Sequence, residues 1–146
     1  MRGIYSALTI ANNFIDLGNK HRTACDHLKL QKMVYFTHGG YLAWKNKPLI
    51  HEYIRAHKYG IVIQELYNAL KSHGGKFIKQ HIPNTNPPLV KQEDKDIHQL
   101  ITKAWDAYGQ YPSNYLAELV HYEGTPWYFT YLAHKNNHLN RMVANL

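Results

Sequence analysis

The segment from Leu28 to Trp44 constrains the fold more than any other part of this 146-residue chain. When the segment is drawn as a helix, apolar side chains fall on nearly every side. A helix of that kind is stable only when other parts of the chain surround it. Asp26 is a suitable N-cap, and Asn46 to Pro48 form a stop signal. We therefore predict a buried central helix.

Four polar side chains of this segment are candidates for function. Lys29 and Lys32 lie three residues apart, and their long stems let the ammonium groups reach solvent. Gln31 and His38 share one narrow strip, so each needs a partner if it is buried. We expect the two lysines to be exposed, and Gln31 and His38 to form a buried polar network with the loop at Tyr59.

The other helices are predicted from apolar residues that recur every three or four positions. The cleanest such face covers Ile97 to Tyr108, with acidic residues before it and Gly109 after it. The first helix is expected to end in a left-handed stop at Gly18 and Asn19. The remaining predicted helices are Ile4 to Ile15, Ile63 to Leu70, a short helix with Ser113 as its N-cap, and one that starts at Trp127 and runs to Ala133.

Two segments do not fit a helical period. Residues 50–60 and 76–80 indicate either a short β-hairpin or extended segments. Three prolines and two asparagines between His81 and Leu89 predict a loop. Because neither side of that loop has enough apolar positions for its own core, we expect residues 1–146 to form a single domain. The predicted fold is mainly α, a compact bundle of about five to seven helices around the central helix, with residues 128–146 as its least defined extension.

The charge balance restricts the kinds of partner. Seventeen Lys and Arg against ten Asp and Glu give a formal net charge of +7 at pH 7, without the eleven His. Such a balance attracts acidic proteins, nucleic acids or anionic lipids without choosing among them. Since no run of five like charges occurs, a solvated basic surface is the simplest explanation.

Cysteine usage and hydropathy point to the cytoplasm. The single Cys25 excludes an internal disulfide and a cysteine-based zinc site. No signal-peptide pattern opens the sequence, and no apolar run reaches transmembrane length. We therefore expect a cytoplasmic protein that does not bind a membrane.

The histidines do not form a convincing metal or catalytic pattern. His134 and His138 lie four residues apart, but the two-histidine metalloprotease pattern needs a Glu after the first, and Lys135 stands there. His121 with Glu123 is the better acid–base pair, yet no nucleophile motif accompanies it. We expect His121 to satisfy carbonyl groups at a helix end, and we predict no metal, cofactor or catalytic residue.

The sequence LKLQKMVYF, which starts at Leu28, resembles the KLQK-(hydrophobic)-x-Y-F opening of the Panacea domain. This family comprises bacterial and phage proteins known chiefly as antitoxins and as proteins of genetic elements. Further similar motifs follow in the family's order up to Trp127, with two departures: His57 replaces an aromatic residue and Ile61 replaces a proline. The residues that match the family motifs are Leu30, Gln31, Lys32, Tyr35, Gly60, Val62, Tyr67, His121, Pro126 and Trp127.

The resemblance implies an antitoxin-like protein, not an enzyme, that binds and neutralises a partner toxin by direct contact. It also implies that the toxin is encoded nearby, and some relatives act as adaptors that deliver the toxin to a protease. The alternative suggested by the charge is a nucleic-acid-binding regulatory protein of a phage or mobile element, and a remote alternative is a hydrolase that uses His121. Charged and aromatic side chains on a rigid helix are what a partner grips. The candidate partner-binding residues are Lys29, Lys32, Lys58 and Tyr59.

Overall fold

A computed structural model describes residues 3–57, 60–121 and 141–142, and for His121, Arg141 and Met142 it describes the backbone alone. Within these ranges the chain forms five α-helices and three short strands, so the predicted mainly α fold is confirmed. One turn of 3-10 helix, Lys71–His73, follows the third helix. The elements in chain order are α1 Ala7–Lys20, α2 His27–Lys45, β1 Ile54–His57, β2 Gly60–Val62, α3 Gln64–Leu70, α4 Lys95–Tyr108, α5 Ser113–His121 and β3 Arg141–Met142.

The helix α2 lies at the centre of the molecule, as the sequence predicts. It contacts α1, α3, α4, α5 and β2. Asp26 caps its start, since Oδ1 accepts a hydrogen bond from the Lys29 N–H at 2.8 Å. Asn46 ends it in the left-handed conformation, with a φ of 56°. Leu28 near its start and Trp44 near its end are the exposed large apolar residues of α2.

The end of α1 differs from the prediction. The left-handed stop is not at Gly18 and Asn19, because α1 continues to Lys20 and the positive φ of 55° falls on Arg22. Gly18 serves packing instead. A Cβ at this position would lie 2.9 Å from the carbonyl oxygen of Thr23. The glycine thus lets the connector between α1 and α2 turn back against α1.

A small antiparallel sheet covers one side of α2. Residues 50–60 contain β1, so the hairpin is the correct alternative there. β1 pairs with β2 on one edge and with β3 on the other, which gives the order β2-β1-β3. The sequence does not predict β3, because a strand of two residues carries no periodic signal. Residues 76–80 form no strand, and their β-pairing is limited to one isolated bridge between Ile78 and Cys25. In this bridge the Ile78 N–H donates to the Cys25 carbonyl at 2.8 Å.

The proline-rich loop between His81 and Leu89 is fastened to α1. The buried Asn12 side chain accepts a hydrogen bond from the Ile82 N–H at 2.8 Å and donates one to the Pro88 carbonyl at 2.9 Å. The sequence predicts the loop but not this attachment. A buried asparagine needs such partners, because an unpaired amide in the core is costly.

The apolar core contains buried side chains from all five helices. Phe14 on α1 stacks against Trp105 on α4 with ring centroids 6.5 Å apart, and Leu30 and Met33 of α2 are fully buried. The start of α5 differs in one detail from the prediction. Ser113 is its first residue, and its hydroxyl donates to the Asp26 carboxylate at 3.3 Å.

In the described part of the chain, every helix is too short or too polar to cross a membrane.

Replacing Gly18 by Ala should destabilise the fold by about 1–3 kcal/mol, because the added methyl group meets backbone atoms that cannot move independently. Gly39→Ala is the matched control. Gly39 is exposed in α2, and apart from its chain neighbours and the adjacent backbone of its own helix, no described heavy atom lies within 4 Å of its added Cβ. This control should stabilise the protein by roughly 0.5–1 kcal/mol. Urea denaturation measures both, and a Gly18→Ala variant as stable as the wild type or more stable would contradict the packing role of Gly18.

The thiol of Cys25 should be unreactive in the native protein. Its side chain is fully buried, and desolvation raises its pKa to about 11. At about pH 8 only about a thousandth of such a thiol is ionised, and the thiolate is the nucleophile. Ellman's reagent should therefore label Cys25 only when denaturant unfolds the chain. Stoichiometric labelling within minutes in native buffer would show that the burial is wrong.

Candidate partner-binding site

Lys29 does not reach solvent, contrary to the expectation from the sequence. The residue is 4% exposed, its Nζ donates to the carbonyl oxygen of Gly109, and Nζ lies 5.4 Å from the centre of the Trp105 ring. Burial lowers the pKa of Lys29, and the charges of Cys25 and Asp26 partly oppose this effect. The side chain therefore joins α2 to the end of α4.

Lys32 is also buried, at 3% exposure, so the expected exposure of this lysine is wrong as well. No hydrogen-bond acceptor for its ammonium group is found among the residues that the structure describes. Desolvation lowers its pKa, and the charge of Asp26 opposes the shift. Both lysines are buried because α2 is central and other elements surround it. Neither ammonium group is available to a partner in this conformation.

Gln31 fastens α2 to the residue that follows β2. Its Oε1 accepts a hydrogen bond from the Ile63 N–H at 2.9 Å, and its Nε2 donates to the Ile63 carbonyl at 3.3 Å. Nε2 also lies 3.1 Å from Nε2 of His27, whose ring is 5.4 Å from that of Tyr67. The predicted buried partner of Gln31 thus exists, but it is Ile63 rather than the loop at Tyr59.

His38 belongs to a different contact. Its Nδ1 lies 3.3 Å from the backbone nitrogen of Leu49 and 3.4 Å from that of Ile50, and both N–H groups donate to it. His38 and Gln31 therefore do not form one network, although each has the buried partner that the sequence requires. Both side chains hold backbone, which indicates a structural role for them.

The other family-motif residues are distributed between the core and the surface. Leu30 and Tyr35 are buried, Val62 is half-buried and Tyr67 is exposed. Gly60 begins β2 with a φ of 131°, which glycine adopts easily. Within residues 3–57 and 60–121, no group of three metal-ligating side chains converges. The residues Lys58, Tyr59, Glu123, Pro126, Trp127, His134 and His138 lie outside the described residues, as do the side chain of His121, the predicted helix from Trp127 to Ala133 and, except for β3, the extension 128–146.

An open groove of about 740 Å³ lies beside the buried Lys29. We call it the connector groove, because its walls are the end of α1, the α1–α2 connector and the α4–α5 connector, together with Phe77 and Lys79. Its volume falls in the range of ligand-binding clefts. Lys29 and Asp26 line the groove, so it lies next to the first turn of α2.

Basic side chains are exposed at the connector groove. Arg22 and Lys79 both line it, and neither forms an ion pair with a described residue. The acidic Asp26 is already engaged, since one carboxylate oxygen accepts from the Lys29 N–H and the other from the Ser113 hydroxyl. The groove therefore presents positive charge to solvent.

Aromatic side chains line the same groove. Phe77 is 64% exposed, which is unusual for a large apolar residue, and Tyr111 lies on the opposite connector. The Tyr111 ring packs against that of Tyr115 with centroids 4.6 Å apart. The groove thus combines exposed aromatic area with an arginine, and both residue types are enriched in protein interfaces.

Hydrogen bonds to backbone groups hold the walls of the groove in place. Ile78 bridges to Cys25, and Asn19 Nδ2 donates to the Lys79 carbonyl at 2.8 Å. Because side chains alternate in this extended segment, Ile78 is buried while Phe77 and Lys79 face the groove. Sequence reasoning missed these groove residues. The available signal was the alternation of an exposed aromatic, a buried apolar and a basic residue from Phe77 to Lys79.

The stability of the protein should fall as pH decreases below about 6.5, in part through His27. Burial lowers the pKa of His27, the charges of Lys32 and His73 lower it further, and Asp26 opposes them. The unfolded chain therefore binds a proton on His27 before the folded chain does, and protonation favours unfolding. Above the pKa of His27 in the unfolded chain, this group does not change the free energy of unfolding. As pH falls from that value to the lower pKa of His27 in the folded chain, the free energy of unfolding decreases.

Urea denaturation at several pH values, with His27→Gln as the comparison, tests this linkage. The wild type should lose more stability on acidification than the variant, whatever their difference at neutral pH. Equal pH dependence of the two proteins would show that His27 titrates alike in the folded and unfolded states. The other histidines are common to both proteins, so their contributions cancel in the comparison.

Comparison with known proteins extends the likeness beyond short motifs. The family model described as Antitoxin SocA-like, Panacea domain, matches residues 30–128, which is more than half of the chain. Antitoxin SocA of Caulobacter vibrioides (strain NA1000 / CB15N) is 28% identical over 127 residues, which cover 83% of this chain and 68% of the relative. No solved structure matches the chain. The chain therefore belongs to the family of SocA-like antitoxins with a Panacea domain.

Proposed function

We propose that this protein is an antitoxin that binds a toxin protein directly and thereby neutralises it. The observation that carries the proposal is the likeness to Antitoxin SocA over 83% of the chain. The toxin is expected to be encoded beside this protein. Binding alone suffices for such a function, so no catalytic residue is required of the chain.

The surface chemistry supports a protein partner. Hot spots of protein interfaces are enriched in aromatic residues and arginine, and they lie in preformed depressions. The connector groove offers Arg22, the exposed Phe77 and Tyr111 in one depression of fixed walls. By contrast, Lys29 and Lys32 are buried, and Lys29 joins α2 to the end of α4 beside this surface.

Neutralisation has two physically distinct forms. In the first, the antitoxin covers the toxin surface that acts on the cell. In the second, the antitoxin is an adaptor that holds the toxin for a protease. The half-life of the toxin separates them, because an adaptor shortens it whereas a blocking antitoxin leaves it unchanged or prolongs it.

The neighbouring reading frame provides the test. Expressed alone from an inducible promoter, its product should arrest growth, and co-expression of this protein should restore growth. The two proteins should also co-purify when either one carries the affinity tag. The control is co-expression with a frameshifted copy of this protein. Continued arrest with the intact copy would contradict the proposal.

The net charge of +7 favours a second candidate, a nucleic-acid-binding regulator. The same purified protein distinguishes the two. Retention on heparin that disappears at moderate salt, together with specific retardation of DNA from its own promoter and no effect on growth arrest, would favour the regulator. Rescue of growth without DNA retardation would favour the antitoxin.

A further inference from the structure

We propose that the connector groove is the docking site for the partner, and that it binds an extended acidic polypeptide segment with at least one bulky apolar side chain. The identity of that partner as a toxin rests on the proposed function. The chemistry of the segment rests on the groove itself.

Charge complementarity is the first step. Arg22 and Lys79 both line the groove, are exposed and have no ion-pair partner among the described residues. A carboxylate between them would gain a charge-assisted hydrogen bond from either side chain. Asp26 also lines the groove, and its two oxygens accept hydrogen bonds from the Lys29 N–H and the Ser113 hydroxyl.

Apolar contact is the second step. Phe77 exposes 64% of its surface at the groove, and the partly buried Tyr111 lies on the facing connector. A leucine or phenylalanine of the partner that enters between them would remove apolar surface of both rings from water. Aromatic rings lose little conformational entropy on binding, which favours them as anchors.

Preorganisation is the third step. The strand-like wall that carries Phe77 and Lys79 is tied to the α1–α2 connector through Ile78 and Cys25, and to α1 through Asn19. The opposite wall is tied to Asp26 through Ser113. A partner segment therefore meets a groove that already has its shape, which reduces the entropy lost on binding.

A polypeptide fits the groove better than a nucleic acid does. A single strand carries a phosphate on every nucleotide and requires a basic track along its backbone. Arg22 and Lys79 are the exposed cations that line the groove within the described ranges, and a carboxylate, Asp26, lines it as well. Two cations beside aromatic rings suit a segment in which acidic and apolar side chains alternate.

The test compares two double variants that change the net charge equally. The groove variant is Arg22→Asn with Lys79→Glu, and asparagine tolerates the positive φ of Arg22. The control variant is Lys103→Gln with Lys47→Glu, two exposed lysines outside the groove. A second pair, Phe77→Ala and Trp44→Ala, removes one exposed aromatic ring inside and one outside the groove. Circular dichroism and protection of Cys25 from Ellman's reagent verify that each variant is folded.

The first probe is a fluorescein-labelled peptide of alternating Glu and Leu, compared by fluorescence anisotropy with a peptide of Gln and Leu. The wild type should bind the Glu peptide more tightly than the Gln peptide, and added salt should weaken the complex. The groove variant and Phe77→Ala should each weaken binding at least about tenfold, whereas the two controls stay within about twofold. Absent binding to the wild type, or equal losses in groove and control variants, would overturn the proposal. Tighter, groove-dependent binding of labelled oligothymidylate would overturn it in favour of a nucleic acid.

The second probe is the toxin itself, in the growth assay. If the wild type restores growth and the groove variant restores it equally well, the groove assignment fails while the antitoxin function stands. If the wild type does not restore growth but the peptide still binds in a groove-dependent way, the antitoxin function fails while the groove assignment stands. Loss of rescue in the groove variant alone supports both.

Discussion

The burial of α2 on nearly all sides is the constraint on which the rest of the structure depends. A helix in that position has little contact with water, so its polar side chains must find partners inside the protein. Gln31 holds the backbone of Ile63, His38 holds that of Leu49 and Ile50, and Lys29 reaches the carbonyl of Gly109. Each contact joins α2 to a different part of the chain. The central helix therefore organises the fold through a few directional hydrogen bonds as well as through apolar packing.

This arrangement indicates a structural rather than a partner-binding role for the family motif at the start of α2. Gln31 and Lys32 belong to the motif, yet the structure places both side chains in the interior. Gln31 bonds to Ile63, and His27 contacts both Gln31 and Tyr67, so two family segments meet here. Residues that identify the family thus maintain the frame. The surface available to a partner is formed by residues outside that motif, such as Arg22 and Phe77.

The sequence allowed correct prediction of what depends on local pattern. Helical periodicity predicts the positions of α2 and α4. Asp26 and Asn46 are recognisable as the caps of α2, because capping uses residues adjacent to the helix. Burial of Lys29 was not predictable, since it depends on Trp105 and Gly109 some eighty residues away. The connector groove was missed for the same reason. The sequence suggests that Gly18 ends the helix α1, because its close approach to Thr23 is visible only in three dimensions.

The walls of the connector groove come from three stretches of the chain that are far apart in sequence, the first near Arg22, the second at Phe77 and the third near Tyr111. The unfolded polypeptide does not have such a surface, because these stretches come together only when the whole domain folds. Any molecule held there draws the folding equilibrium toward the native state by mass action. Conversely, global unfolding of the chain would release the bound partner, so the stability of the whole domain sets an upper limit on how long a complex can persist.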